Sequence, residues 1–302
     1  MSRVSLSTMW AKDRFSNMTE FVAKARELSF THIEANSSVS PQRLDELIET
    51  FIPISSVHSP CPAVLSAKGI PVASLSLSSL NKSERGEAVN FAKKTIDLAL
   101  KAGAKAVVLH MGEVPVALSL DTELRRLYRQ NLAQTKEYNQ VKEQLSYQRT
   151  SQVPPYFEAA QKSLQELSLY TQGKEIMLGL ETRFHLHEIP NIDEMERLLN
   201  EAEENSVGYW HDVGHAEVTQ RLGFTSHEEW FSRFRDKMIG IHLHDVLGIS
   251  DHRPPGKGDV NWDMVAKYLP HGAIKVCEIA EWNEEKDLRG VVDFLQGKGV
   301  LN

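Results

Sequence analysis

What most constrains this chain is a rhythm. Short apolar runs of strand length alternate with segments of helical period along its whole length. Strands are read at residues 3–8, 30–35, 52–57, 104–109, 176–180, 207–210, 238–243 and 273–277. Helices are read at 17–28, from Ser40-Pro41 to about 51, and at 82–102, 156–170, 191–204, 226–236, 262–269 and 284–295. Pro41 suits a first helical turn and Gly103 a helix C-terminus. Strands that alternate with helices in this way predict an α/β fold: a single closed (β/α)8 TIM barrel over residues 1–302.

One stretch departs from the rhythm. Between the fourth and fifth strands lie two helical segments where one is usual. Residues 120–148 are rich in Arg, Lys, Glu and Gln, Pro154-Pro155 break the pattern, and a helix resumes at 156. Residues 119–155 are therefore read as a helical insertion after strand 4. It would be a lid, a contact in a homo-oligomer, or a solvated surface helix.

Composition narrows the classes of function. The 302 residues carry a net charge of -7, which gives no global attraction to nucleic acid or to anionic membranes. No apolar run approaches a membrane span, and MSRVSLSTMW lacks the apolar core of a signal peptide. The two cysteines, Cys61 and Cys277, stand outside any CxxC or Cys/His zinc spacing. That pattern fits a reducing compartment, and the expected location is the cytoplasm.

The strand ends carry the chemistry. In VGYWHDVGH (207–215) an apolar run leads into Asp212 and, three residues on, His215. Other runs stop at His58, His110, Glu181, His242 and Glu278. In a barrel these ends share one face, where active sites lie. Glu181, Asp212 and Glu278 would repel one another unless a cation neutralised them. With His242 they form a mixed oxygen and imidazole set suited to manganese, cobalt, magnesium or zinc. His58, His110, His215 and His252 form an outer ring, for a second metal, for substrate hydroxyls or for a phosphate. Singly, each is as readily a core histidine bonded to a carbonyl. His244 and Asp245 are read as partners that orient an imidazole. Arg183 is read as a contact for an anionic substrate group or as a partner of Glu188. Lys257, between Gly256 and Gly258, offers a cation and free backbone donors to a phosphate. Trp10 is read as a stacking face for a sugar, or as a rim aromatic over apolar surface.

The segments VHSP, VVLHMG, GLETR, HDVGH, IHLHD, HRPPGKGDVNW and VCEI resemble the xylose isomerase-like TIM-barrel superfamily. It contains sugar isomerases and epimerases of the D-tagatose 3-epimerase type and the endonuclease IV class of DNA-repair enzymes. Outside the insertion the resemblance spans nearly the whole chain. It implies that Glu181, Asp212, His242 and Glu278 are the shared four-ligand metal site. On the epimerase side it implies that Glu181 and Glu278 also move protons and that His215 contacts substrate. On the endonuclease side it implies a three-zinc cluster with further ligands at His58, His110, His215 and His252. Three departures weigh against that side. Ser250 stands where an aspartate is expected two residues before His252, with Asp251 displaced by one. Cys61 replaces a tyrosine, and RVSLSTMW and FTHIEANSS lack the first- and second-strand signatures.

The expected activity is thus that of a divalent-metal-dependent isomerase or epimerase for a small-molecule sugar or sugar phosphate. Glu181 and Glu278 would move a proton through a metal-stabilised cis-enediolate. The alternative is a zinc-dependent phosphoesterase acting on abasic DNA, with Arg125, Arg126 and Arg129 as a basic rim and Glu123 among them. A keto-sugar dehydratase uses the same enolisation. A barrel that binds metal or sugar without catalysis is the remaining class.

Overall fold

The computed structural model describes residues 3–202 and 206–301. The first half holds β1 (Ser5–Ser7), α1 (Met18–Glu27), β2 (His32–Ala35), α2 (Pro41–Glu49), β3 (Ile54–His58), α3 (Lys82–Lys101) and β4 (Ala106–Leu109). Then come α4 (Leu118–Arg129), α5 (Lys136–Thr171), β5 (Met177–Glu181), α6 (Ile192–Glu201), β6 (Val207–Asp212), α7 (Val213–Arg221), α8 (His227–Phe234) and β7 (Met238–Leu243). The chain ends with β8 (Asp245–Leu247), β9 (Ser250–Arg253), α9 (Trp262–Tyr268), β10 (Ile274–Cys277), α10 (Glu285–Leu288) and α11 (Val291–Gly297). Eight strands close, all parallel, in the order β1-β10-β7-β6-β5-β4-β3-β2. The expected (β/α)8 barrel is what forms.

Barrel strands are covered on one face by the lumen and on the other by helices, so runs such as AVVL in β4 are apolar throughout, while β1, β2 and β3 admit small or paired polar residues. Trp210 on β6 fills the lumen among Ala106, Val108 and Val276. It fits because its neighbours are glycines. A Cβ on Gly179 would lie 2.8 Å from the indole, and one on Gly240 would lie 2.1 Å from it. Trp210 points the same way as Asp212, one strand layer below it, and meets the His242 ring edge-on with centroids 5.3 Å apart. It is the floor of the site.

Three elements differ from the sequence reading. Helix α5 runs for 36 residues straight through Pro154-Pro155. Each proline removes a helical hydrogen bond to the residue four back, here Thr150 and Ser151. All four residues are exposed, so the freed carbonyls face water and the helix survives. Second, α7 forms between the expected strand at 207–210 and helix at 226–236, where no helix was read, because Asp212 caps it by accepting from the His215 N–H at 2.7 Å. Third, β8 and β9 make an antiparallel hairpin between the expected strand at 238–243 and helix at 262–269, where no strand was read. The predicted helix end at 204 lies outside the described residues.

The segment expected as an insertion buries one face of its helices and leaves the other exposed. Helix α4 and the first half of α5 pack around Leu124, Leu127, Tyr138 and Leu145. Two buried arginines then clamp them to the loop after β5. Arg125 donates to Asp121 (2.9 Å) and to the Phe184 carbonyl (3.1 Å). Arg149 donates to Glu194 (2.6 and 2.8 Å) and to the carbonyls of Leu186 (2.6 Å) and Glu188 (3.2 Å). Among the described residues no helix is long and apolar enough to cross a membrane.

Candidate metal centre

Glu181, Asp212, His242 and Glu278 each bring one ligand atom within 4.8 Å of the others. All four are buried, Glu278 being the most exposed at 4%. His242 Nδ1 lies 2.7 Å from Glu181 Oε1, 3.4 Å from Asp212 Oδ2 and 3.3 Å from Glu278 Oε2. Burial opposes ionisation of Glu278, but His242 and His252 outweigh it and leave the carboxyl at about 2. Burial likewise opposes ionisation of Glu181 and Asp212. His110 and His242 hold the first well below the carboxylate range, and His215 and His244 the second. Burial would lower His242, yet Glu278, Glu34 and Glu181 raise it well above an ordinary histidine. Three ionised carboxylates converging on one buried point are a donor set for a divalent cation.

Each flank of this set carries a histidine pair. His110 Nε2 is 2.5 Å and His58 Nε2 3.4 Å from Glu181 Oε2. On the other side His252 Nε2 is 3.4 Å from Glu278 Oε2, and Asp251 Oδ2 lies 2.9 Å from His252 Nδ1 and 3.9 Å from His215 Nε2. The outer ring expected from the sequence is thus two separate groups, joined to the centre through the two glutamates.

Hydrogen bonds fix which atoms face inward. His244 Nδ1 accepts from the His252 backbone N–H (2.9 Å), so Nε2 carries the proton and donates to Asp212 (3.0 and 3.1 Å). No lone pair of His244 remains for an ion, although it stands within ligand distance of His215 and His252. Its role is to orient Asp212, a carboxylate rather than an imidazole. Gly214 permits this contact, because a Cβ there would lie 2.0 Å from the His244 ring. His242 is held from its far side: Nε2 faces Glu34 at 3.1 and 3.3 Å, and Glu34 also accepts from Ser56 Oγ (2.7 Å). That arrangement keeps the proton on Nε2, which donates to Glu34, and turns Nδ1 to the carboxylates. The His215 Nδ1–H donates to the Thr182 carbonyl (2.9 Å), leaving Nε2 toward the mouth. Above the set opens a cavity of about 370 Å3, lined by Met9, Asn36, Arg183, Phe184 and His185 and, of the four central residues, by Glu181 and Glu278.

Residues 22–298 match a family model described as xylose isomerase-like TIM barrel. The chain belongs to that family. An uncharacterized protein of Methanocaldococcus jannaschii is 25% identical over 211 residues, 69% of this chain and 68% of that one. One of Sinorhizobium fredii is 26% identical over 62% of this chain, which spans half of that relative's length. Among solved structures, the D-psicose 3-epimerase of Clostridium cellulolyticum, determined with D-tagatose, superposes at a TM-score of 0.69. It is 13% identical, with 99% of both chains covered. The IOLI protein with a bound zinc atom superposes at 0.63, 14% identical, with 99% of this chain and 97% of that one covered.

Three residues expected at this xylose isomerase-like site do other work. Trp10 is fully buried and its indole N–H donates to the Asn283 carbonyl (3.0 Å), so it ties β1 to the segment after β10 and offers no face to a sugar. Arg183 pairs with Glu188, the second of its two expected roles, and with Glu181 (2.9 Å), so at the cavity wall it steadies a ligand-type glutamate. Lys257 is exposed and lies outside the cavity lining. The backbone donors of its loop are spent on Asp245, which accepts from Val246 N, Gly256 N, Val260 N and Trp262 Nε1 at 2.8–3.1 Å. Asp245 thus ties the loop and orients no imidazole. Glu34 was missed. Its signal was a charge in an otherwise apolar strand, on the lumen side of HIEA.

Proposed function

We propose that the protein is a divalent-metal-dependent isomerase or epimerase acting on a sugar or sugar phosphate. The observation that carries this reading is the pair Glu181 and Glu278, which flank His242 Nδ1 at 2.7 and 3.3 Å and line the mouth cavity. The sugar epimerase and the zinc-bearing barrel among the solved relatives support it. Glu181, Asp212, His242 and Glu278 would hold the ion. When bound, it would polarise the carbonyl and neighbouring hydroxyl of an open-chain ketose and acidify the adjacent C–H. Glu278 and Glu181 face that carbon from two sides; one removes its proton and the other returns one. His215 Nε2, with its ring turned by Thr182, accepts from a substrate hydroxyl. Trp210 closes the lumen below and keeps water from the proton-transfer layer.

Metal content per chain, measured on protein purified without chelator, is the first test, followed by turnover of a ketose panel. The Glu278→Gln variant should keep its metal and lose about a hundredfold or more in kcat. Wild-type rates in that variant would overturn the role.

The flanking histidines favour one other reading. Because Glu181 also meets His58 and His110, and Glu278 also meets His252, the site has donors for two or three ions, as a zinc phosphoesterase would use. Two or three zincs per chain, together with incision of an abasic-site duplex at stoichiometric enzyme, would establish it. Absence of incision would set it aside.

A further inference from the structure

One polar side chain at the mouth belongs neither to the metal set nor to the residues that orient it. Asn36 follows β2 and is only 5% exposed. Along β2, Ile33 and Ala35 pack into the outer core while Glu34 enters the lumen to reach His242. Asn36, two residues on, faces the same way as Glu34, about 6.6 Å nearer the mouth.

The orientation of its amide is decided by a donor that has no choice. The Ser38 backbone N–H, 3.1 Å away, needs an acceptor, so the atom it meets is Oδ1. The same oxygen receives Ser38 Oγ (2.7 Å) and Thr8 Oγ1 (3.2 Å), and the Thr8 hydroxyl accepts from the Asn36 N–H (2.8 Å). Oδ1 is saturated. Nδ2, with two N–H donors, has no partner among the described residues, and Asn36 lines the same cavity as Glu181, His215 and Glu278. Three neighbouring donor nitrogens are already paired: Arg183 Nη1 and Nη2 with two glutamates and His215 Nδ1 with the Thr182 carbonyl.

We propose that Asn36 is a substrate-binding residue, whose Nδ2 donates to a hydroxyl or carbonyl oxygen of the ligand segment that rises out of the metal layer. Because Oδ1 is pinned by three donors, Nδ2 cannot turn to suit either configuration at that carbon, so the contact selects between epimers. The inference rests on reading the site as one for a sugar.

The Asn36→Asp variant separates this role from a purely structural one. It keeps an oxygen for Ser38 and Thr8, so fold and metal content survive, and it removes the donor. With whichever of D-fructose, D-tagatose or L-ribulose the wild type turns over fastest, KM should rise by about tenfold or more while kcat changes less. An unchanged KM overturns the proposal. A crystal of the metal-loaded wild type soaked with xylitol gives an answer that needs no turnover. A xylitol oxygen within about 3 Å of Nδ2 supports the contact. Xylitol bound without that contact, or no bound xylitol, overturns it. Failure of the wild type to act on any of the three ketoses would count against the isomerase reading, and the xylitol result would still decide Asn36.

Discussion

The two nitrogens of His242 do different work, and Glu34 decides which does what. Its carboxylate accepts a hydrogen bond from the Nε2–H in the lumen and leaves Nδ1 for the ligand cluster. Glu34→Ala should therefore keep all four ligands yet weaken metal affinity about 10- to 100-fold, measurable by competition with a chromogenic chelator. An unchanged affinity would show that packing against Trp210 is enough to hold the ring. Gly214 is the second such residue. In Gly214→Ala the new methyl would sit 2.0 Å from the His244 ring. The expected cost is about 1–3 kcal/mol in a urea melt, with loss of metal because Asp212 loses its orienting donor. Glu188 sets a pH dependence. Burial opposes its ionisation, but Arg183 outweighs it and takes the carboxyl from 4.5 to about 2. A depressed carboxyl stabilises the fold above its unfolded value. That contribution, on the order of 3 kcal/mol, is lost as pH falls from about 4.5 to 2. Glu188→Gln should flatten this part of the stability profile, read by urea melts across the range.

Among the elements, α7 and α5 show how tertiary contacts override local signals. VGHAEVTQR contains a glycine in its first turn and three β-branched residues, and it has a weak helical pattern. It is a helix because Asp212 caps it and because its inner face packs beneath β8 and β9. Helix α5 tolerates two prolines because they fall on its wet side. The insertion serves as a buttress through Arg149, whose guanidinium is buried against Glu194 and two carbonyls of the loop that carries Arg183. Arg149→Met leaves Glu194 charged and buried, a change of about 3–5 kcal/mol, and should loosen the 183–190 loop. Hydrogen exchange would report it as faster amide exchange at Ile189 and Val114, which are bonded within that region. Protection equal to wild type would mean that the insertion does not support the site.

For the whole molecule, closure of the barrel is what brings Glu34 and His242, 208 residues apart, within hydrogen-bond distance. The rhythm of strands and helices was legible in the sequence because the barrel strands are short and mostly buried, β4 (AVVL) and β7 (MIGIHL) being near-continuous apolar runs, while the helices are apolar on one face. Glu181, Asp212, His242 and Glu278 were legible for the same reason: a charge that ends an apolar run in a parallel barrel lies at the mouth. What could not be read was direction. Trp10 and Lys257 sit near strand ends, yet an indole turned inward and a loop knotted by Asp245 remove them from the cavity, while Arg183 lines it with both terminal nitrogens already paired to glutamates. Conversely, Glu34 and Asn36 gain their roles from contacts made across the lumen or across a turn, and no spacing in the sequence records those. Local pattern determined the fold and the identity of the donors at its open end. Only the packed structure decided which of those donors remain free, because a hydrogen bond already made inside the protein is unavailable to a ligand.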